Sequence, residues 1–464
     1  MHALAGTIMA CAACRSDARG GMTWQAGAAA VDITPRESLW MAGFARRTQP
    51  SQGVALPLHA KALALKAGHG AIAVIVTADL LGLTASVTGR VAAVVQQHHG
   101  IPRSHLLFNA SHTHCGPVVD EHLSVAYDLS AEQWRAIREY TRLLEDELVA
   151  VIGAAVSRLR PARLGYTTGA ADFARNRRVA FGPGGPVDHS VPVLRVDTAD
   201  GETAAIVLGY ACHNTTLQHG FVHYHGDYAG VAQAALERRH PGATALFVSG
   251  CGADVNPHPR GRVELVEAHG EALADAVDRV LAGAAAIDPA LHAAYGTIDL
   301  PFAGADVTER WRARLDIEPV YLQRHAALME AATAREGRLP AAQRMPLQVW
   351  RFGPAGTDRD GPRDVPPQSG GPGTAADGHR QLTLIALGGE VVVDYVRRFA
   401  GEYPGRRLWI AGYSNDVFGY VPSRRVLREG GYEGGDAMIY YGRPGPFSDA
   451  VEELIVSGVR RLAG

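Results

Sequence analysis

The sequence predicts an α/β fold in which mixed β-sheets are layered with helices in a single large domain. From residue 26 onward, short β-rich runs alternate with segments of helical periodicity, and no internal repeat is visible. Chemically active side chains also follow the ends of several of these runs, which is where α/β sheets bind their ligands. We therefore expect the functional site at the strand ends.

The first half of the chain supplies the first predicted strands and helices. "KALALKA" (61–67) and "AIAVIVTADLLGL" (71–83) read as strands, "VTGRVAAVVQQHHG" (87–100) as a helix and "HLLFNASHTH" (105–114) as another strand. The segment 131–159 has apolar residues at helical spacing and predicts a long amphipathic helix.

The second half repeats this alternation. "AAIVLGYACH" (204–213), "ATALFVSGCGAD" (243–254) and "LTLIALGGEVVV" (382–393) predict strands. "VAQAALERRH" (231–240) and "VELVEAHGEALADAVDRVLAGA" (263–284) predict helices.

The segment 353–379 differs from its surroundings because it is rich in glycine, proline and aspartate and has few large apolar residues. Such a segment cannot bury enough surface to offset the entropy of ordering it, so it predicts a flexible insertion. It separates "LQVWRF" (347–352) from "QLTLIALGGE" (381–390), and we expect these two runs to pair across it. The domain is therefore predicted to span 26–464 without a boundary at the insertion.

Composition excludes several classes of protein. Lysine plus arginine (45) nearly balance aspartate plus glutamate (47), and no basic stripe indicates a nucleic-acid partner. The longest apolar runs have the length of strands, so no transmembrane segment is predicted. The five cysteines do not form a disulfide framework, and Cys115, Cys212 and Cys251 are expected to be buried and reduced. The sequence does not indicate an oligomeric state.

Residues 1–25 form an extension before the folded pattern, and two interpretations of it stay open. "ALAGTIMACAAC" is apolar enough for the core of a weak signal peptide, which would predict export. The positive start of such a signal is missing, and Met22 is an alternative initiator. We favour the second interpretation, which predicts a cytoplasmic protein with an over-extended start.

A pair of histidines follows the predicted strand at 105–114. Residues two apart on a strand face the same side, so His112 and His114 in "FNASHTHCGP" are expected to point together. The pair predicts two metal ligands, or one ligand and one proton-transfer group. Two hydrogen-bonded polar residues at a strand end are the structural alternative.

A second cluster favours the metal site. His213 ends another predicted strand, and Glu390 ends a third after two glycines that let the backbone approach a ligand closely. Zinc accepts nitrogen and carboxylate ligands, so the sequence predicts a zinc site at the strand ends. The nearby His219, His223 and His225 are expected to be loop residues, although a second metal there stays an open alternative.

Other chemistries have weaker support. The sequence contains no G-x-S-x-G nucleophile elbow and no glycine-rich stretch ending in Gly-Lys-Ser/Thr. Cys115 or Cys251 could act as a thiol nucleophile. Adjacent strand residues face opposite sides, however, so Cys115 is expected to point away from His114.

Taken together, the motifs resemble one known family. They are "VDITPRESLWMAGFARR", "NASHTHCGP", "ARNRR", "ACHNTTL", "GDYAG", "SGCGADVNP", "LGGE" and "YSNDVFGYVPSRRVLREGGYEGG". They occur in the order seen in neutral (non-lysosomal) ceramidases and their bacterial relatives, over about residues 27–455. The chain thus resembles a bacterial relative that consists of the catalytic domain only.

The resemblance implies roles for individual residues. His114 is implied in proton transfer or substrate contact, Tyr432 faces the substrate carbonyl, and Arg177 lines the site. The resemblance implies four zinc ligands, namely His112, His213, Glu390 and Tyr420. Candidates for orienting the histidines are Asp79, Asp227 and Asp254, each of which is more often an ordinary structural hydrogen-bond partner.

These roles predict a zinc-dependent hydrolase that cleaves an N-acyl amide bond through a metal-activated water. The same site would suit an esterase or lactonase, and a non-catalytic zinc-binding protein is the alternative of another class. Asn256 replaces a serine of the ceramidases, and the C-terminal β-sandwich domain of that family does not follow in this sequence. We therefore expect a small-molecule or lipid-like acylated substrate other than ceramide itself.

Overall fold

The computed structural model describes residues 23–178, 185–303, 320–354 and 381–464. Apart from its last three residues, the N-terminal extension lies outside the described residues. The predicted insertion at 353–379 also lies outside them, except for its first two residues. Both stay predictions.

The described residues contain seventeen strands. In chain order they are β1 (Trp24–Asp32), β2 (His59–Ala67), β3 (Ala73–Ala78), β4 (Leu106–Ala110), β5 (Arg160–Ala170), β6 (Ala174–Asn176), β7 (Ser190–Thr198), β8 (Thr203–Tyr210), β9 (Thr244–Ser249), β10 (Val255–Pro257), β11 (Ala285–Ile287), β12 (Leu291–Pro301), β13 (Ala342–Phe352), β14 (Leu382–Leu387), β15 (Glu390–Val391), β16 (Leu408–Ala411) and β17 (Tyr420–Val421).

Nine α-helices lie in the same part of the chain. They are α1 (Ala85–His99), α2 (Ala131–Ser157), α3 (Asp227–Arg239), α4 (Val263–Leu281), α5 (Val320–Glu336), α6 (Asp394–Glu402), α7 (Arg424–Glu429), α8 (Gly431–Gly434) and α9 (Val451–Ala463).

The larger sheet has the order β4-β3-β2-β1-β5-β7-β8-β9, with β11 added on β5. Only its two end pairs, β3 with β4 and β8 with β9, are parallel. A parallel pair needs a crossover connection, which α1 and α3 provide here. Helices α1 and α2 pack on one part of the outer face, and α3 and α4 cover the part formed by β7, β8 and β9.

A smaller sheet of order β12-β13-β14-β16 packs face to face on the larger one. Trp24 and Leu65 of the larger sheet share one buried core with Trp350 and Trp409 of the smaller sheet. The opposite face of the smaller sheet is covered by α6 and α9. The molecule is therefore built of four layers, helices–sheet–sheet–helices, and the predicted α/β fold with mixed sheets is confirmed.

Most predicted elements are present, but five strands, β3, β4, β8, β9 and β14, are shorter than predicted. Strands β4 and β8 stop at Ala110 and Tyr210, so the motif histidines that follow them, His112 and His213, lie on loops. The predicted pairing across the insertion is confirmed, because β13 and β14 are antiparallel with Leu347 opposite Leu387. Among the described residues, no helix is long and apolar enough to cross a membrane.

Candidate metal centre and active site

The loops that follow β4 and β8 are joined at one edge of the larger sheet. Thr113 and Asn214 form a parallel bridge, and the Asn214 amide Nδ2 donates to the Ser111 carbonyl at 2.6 Å. Farther back, Ser249 at the end of β9 donates its backbone N–H to the Asn109 side chain at 2.8 Å. These bonds place the histidines of the two loops beside each other.

His112 does not continue the strand, so the reason given above for its orientation is wrong. β4 ends at Ala110, and His112 has a φ of 63°, in the left-handed region. Its backbone N–H donates to the Leu80 carbonyl at 2.9 Å, which holds this conformation. The turn nevertheless brings the two side chains together, with Nε2 of His112 and Nε2 of His114 separated by 3.2 Å.

Three acceptor atoms converge beside this turn. Glu390 Oε2 lies 3.2 Å from Nε2 of His112 and 3.2 Å from Nε2 of His213. Each of these histidines donates Nδ1–H to a backbone carbonyl, at 2.7 Å for Leu81 and 2.9 Å for Gly252. This tautomer leaves a lone pair on each Nε2, and three acceptors without a proton between them repel one another unless a cation lies among them. The donor set therefore fits zinc.

Tyr420 is placed beside Glu390 by a small sheet of two strands, each two residues long. β15 and β17 pair in parallel with Glu390 opposite Tyr420, and the Tyr420 hydroxyl lies 3.3 Å from Nε2 of His213. Gly389, with a φ of 80°, turns the chain into β15, and a Cβ there would lie 2.6 Å from Val421. A glycine is therefore required at this turn.

The electrostatics of the ligand candidates suit a cation. Burial lowers the pKa of His213 to about 4, and the charge of Arg177 acts in the same direction, so the imidazole is neutral. Burial raises the pKa of Glu390, whereas positive charge at His112 and His213 lowers it well below its usual range, so this carboxylate favours a cation beside the two imidazoles. Burial raises the pKa of Tyr420, while Arg177, which donates to its hydroxyl at 3.1 Å, opposes that rise.

His114 lies at the inner wall of the site. Its ring packs 4.6 Å from the ring of Phe44, and its Nδ1 is buried without a hydrogen-bond partner among the described residues. Gly43 leaves room for it, since a Cβ there would lie 2.3 Å from that Nδ1. Burial, and then the neighbouring histidines, lower the pKa of His114 well below its ordinary value. A neutral imidazole with a free nitrogen can accept a proton.

The site opens into a cavity of about 220 Å³. Tyr432 lines it from α8, with its ring 5.2 Å from the ring of Tyr420. The Arg177 guanidinium lies 5.4 Å from the centre of the Tyr432 ring and also donates to Glu433 at 2.8 Å. All seven residues predicted for the site are thus brought together, His112, His114, Arg177, His213, Glu390, Tyr420 and Tyr432.

The carboxylates suggested as orienting groups do not contact the histidines. Asp79 accepts from the backbone of His59 and from Gln233, whereas Asp254 accepts from Asn176 and the backbone of Val393. Asp227 accepts instead from the backbone N–H groups of the 216–217 loop and of its own helix. Backbone carbonyls orient the imidazoles in their place, a role that sequence cannot reveal.

The remaining histidines and the thiols lie outside the metal centre. His219 lines the cavity, and His225 accepts from the backbone N–H of Asp227 through Nδ1. Within the described residues, the only cluster of three metal-ligating side chains is the one formed by the site histidines at 112, 114 and 213. The motif cysteines are buried and free, and burial raises the pKa of Cys115 to about 12, which opposes a thiolate mechanism.

Sequence reasoning missed three residues of the site. Tyr441 donates its hydroxyl to Glu390 Oε1, Phe44 packs on His114, and the buried Glu433 bridges Arg177 and Arg178. Phe44 and Glu433 lie within motifs quoted above, whereas no periodicity or spacing singles out Tyr441.

Comparisons with known proteins identify the fold and the family of this chain. The fold is similar to that of neutral ceramidase from Pseudomonas aeruginosa, with a TM-score of 0.69 and 19% identity over 95% of this chain and 75% of that chain. It is also similar to a ceramidase complexed with C2, with a TM-score of 0.67 and 17% identity over 95% of this chain and 76% of that one. No curated protein matches the chain in sequence. Residues 24–257 match the family described as neutral/alkaline non-lysosomal ceramidase, N-terminal. This chain therefore belongs to the neutral/alkaline non-lysosomal ceramidase family.

Proposed function

We propose that the protein is a zinc-dependent hydrolase that cleaves the N-acyl amide bond of a small-molecule or lipid-like substrate other than ceramide. Family membership supports a hydrolase acting on amide bonds. The observation that carries the proposal is that two imidazole Nε2 atoms, of His112 and His213, each lie 3.2 Å from one oxygen of Glu390, and that His112 and Glu390 line a cavity.

His112, His213, Glu390 and Tyr420 would hold the ion. When bound, zinc supplies a Lewis acid that polarises an acyl carbonyl and lowers the pKa of water toward neutrality. The Nδ1 bonds of the two histidines to backbone carbonyls fix their ring orientation, and Tyr441 holds the second oxygen of Glu390.

His114 is the proton-transfer group in this proposal. Its ring is fixed by Phe44, its backbone carbonyl accepts from Arg47 at 2.8 Å, and one ring nitrogen has no partner among the described residues. A neutral imidazole in this position takes a proton from the attacking water and returns it to the leaving nitrogen.

Tyr432 acts on the substrate carbonyl, and Arg177 lies beside it. The hydroxyl of Tyr432 is the donor for the oxyanion that develops as the carbonyl carbon becomes tetrahedral. Arg177 lies between the Tyr420 hydroxyl and the Tyr432 ring, so its charge reaches both side chains. The absence of one such donor typically lowers kcat by roughly 10²–10³-fold.

Metal analysis of purified variants tests the proposal. We expect about one zinc per chain in the wild-type protein, the minimal content for one such site. His112→Ala and His213→Ala should both lose most of it, whereas His219→Ala, which changes a cavity residue outside the ligand set, should keep it. The wild-type protein should hydrolyse members of a panel of N-acyl amides. Full zinc content in both ligand variants would refute the assignment of the metal site.

A further inference from the structure

The segment 43–47 forms a fixed wall of the active-site cavity. The Gly43 backbone N–H donates to the Tyr127 hydroxyl at 2.8 Å, and Phe44 packs on His114. Arg47 is buried and donates to three backbone carbonyls, those of His114, His219 and Phe221. Both ends of the segment are therefore held in place.

Arg46 lies between these anchors and differs from Arg47 in its surroundings. It is exposed, it lines the cavity, and its side chain makes no hydrogen bond or ion pair with any described residue. It acts on Tyr440, another cavity residue, only through its charge. A fixed wall thus presents an uncommitted guanidinium to the cavity.

The described lining of the cavity leaves this charge without compensation. Among these residues, Arg46 is the only lysine or arginine and Glu390 is the only carboxylate. Glu390 is buried, accepts from Tyr441 and lies between two histidines, so it is not available to Arg46. The hydroxyls of Tyr432 and Tyr440 add neutral donors near the same opening.

We propose that the substrate carries an anionic group, a carboxylate on its amine part or its acyl part, which binds Arg46. This inference rests on the proposed function, because it names the substrate class of the same site. A guanidinium pairs with a carboxylate through two parallel N–H···O bonds, which fix orientation as well as add affinity. A neutral N-acyl amide would leave Arg46 with water only.

Two matched pairs of amides test this inference. N-acylglycine and the N-acylethanolamine with the same acyl chain differ by a carboxylate on the amine part. N-ethylsuccinamic acid and N-ethyl-4-hydroxybutanamide differ by a carboxylate on the acyl part. We expect one anionic member to exceed its neutral partner about tenfold in kcat/KM, the effect of one hydrogen bond between charged groups.

Variants then assign that preference to Arg46. Arg46→Gln should reduce the preference to about onefold by lowering kcat/KM of the anionic member, whereas Arg46→Lys should keep part of the preference. Arg279→Gln, at the exposed end of α4, is the matched loss of one surface charge and should leave the preference as it is in the wild-type protein. No preference in the wild-type protein, or a preference that persists in Arg46→Gln, would overturn the inference.

Failure of this inference can be distinguished from failure of the proposed function. Hydrolysis of neutral and anionic amides at equal rates would leave the amidase assignment intact and remove the role of Arg46. If none of the four compounds is hydrolysed, the amidase assignment fails for these substrates. Titration calorimetry with the same compounds then tests whether Arg46 binds an anionic group. Tighter binding of an anionic member that Arg46→Gln abolishes would support the inference, and equal binding would overturn it.

Discussion

Backbone carbonyls, not carboxylates, determine which nitrogen of each ligand histidine faces the site. Because Leu81 and Gly252 accept from Nδ1, the Nε2 atoms of His112 and His213 are both free to bind a cation. A carboxylate partner would add negative charge to the ligand, whereas a carbonyl only orients it. Of His112, His213 and Glu390, only Glu390 therefore brings a formal negative charge to the centre.

Replacement of His114 separates proton transfer from metal binding. If its imidazole carries the proton, His114→Ala should keep zinc and lose roughly two to four orders of magnitude in kcat, the usual range for general acid–base catalysis. Zinc content and kcat are measured on the same preparation, with His219→Ala as the control from the same cavity. Loss of zinc would instead indicate a site with three histidine ligands, which the 3.2 Å separation of the two Nε2 atoms would accommodate.

Matched amide and ester substrates distinguish the two chemistries of the site. An amine must be protonated as it leaves, whereas an alkoxide needs less help, so His114→Ala should slow amide hydrolysis far more than ester hydrolysis. Both reactions develop the same oxyanion, so Tyr432→Phe should slow both by a similar factor. The measurement is kcat/KM for one acyl group presented as both substrates. Equal losses in His114→Ala, with the ester faster in the wild-type protein, would favour an esterase or lactonase.

Residue types of the site can be predicted from sequence better than their geometry. His112, His213 and Glu390 follow strands, and that position is visible in the sequence. The left-handed φ of His112 is not visible, because residues other than glycine seldom adopt it and tertiary bonds impose it here. The sequence thus predicts correctly that the side chains of His112 and His114 lie together, but the strand geometry that supports this prediction is not present.

A single helical turn carries Tyr432. Helix α8 spans Gly431–Gly434, and ion pairs hold it to the segment after β6. Glu433 accepts from Arg177 at 2.8 Å and from Arg178 at 2.7 Å. The Arg177 guanidinium reaches the Tyr420 hydroxyl as well, so one buried carboxylate connects this turn to the metal centre.

Glu433→Gln tests whether this connection positions Arg177. We expect zinc to be kept and kcat to fall roughly tenfold or more, because hydrogen bonds to charged groups contribute about 1.5–3 kcal/mol. The double variant with Arg177→Ala should be no slower than Arg177→Ala alone, since both changes act through one side chain. Glu429→Gln is the control, because Glu429 pairs with Arg178 and Arg425 and not with Arg177. Additive losses in the double variant would contradict the positioning role.

The two shortest strands of the site show why elements cannot all be predicted from sequence. β15 and β17 contain two residues each, too few for any periodicity, yet their register places Glu390 opposite Tyr420. The long helices α1, α2 and α4, by contrast, follow from apolar spacing over four or more turns.

The site lies where loops of both sheets meet. His112 and His213 follow strands of the larger sheet, while Glu390 follows the smaller sheet. The face-to-face packing of the sheets therefore assembles the ligand set, and neither sheet holds it alone. The sequence predicts the layers of strands and helices but not that the ligand set is divided between two sheets, because face-to-face packing leaves no local sequence pattern.

Asp416 lies between β16 and β17 and connects this region to helix α1. Its contacts and its pKa lead us to expect a pH dependence of stability. Its Oδ1 accepts from the first N–H of α1, at Ala85, and its backbone carbonyl accepts from Gly389. Burial raises the pKa of Asp416 to about 6, against the opposing charge of Arg443. The folded protein therefore binds this proton more tightly than the unfolded chain, whose aspartates titrate near 3.9. The contribution is fully present below about pH 4 and is lost as pH rises through about 6.

Urea unfolding of the wild type and of Asp416→Asn, with a chelator present so that zinc release does not contribute, measures this effect. The asparagine keeps an oxygen that accepts from Ala85 but cannot ionise. The free energy of unfolding of Asp416→Asn relative to the wild type should therefore rise between pH 4 and pH 7. A shift of two pKa units sets an upper limit of about 3 kcal/mol for this rise. Asp200→Asn, in an exposed turn, controls for the loss of one carboxylate. A difference between Asp416→Asn and the wild type that stays constant over this range would show that Asp416 titrates as it does in the unfolded chain.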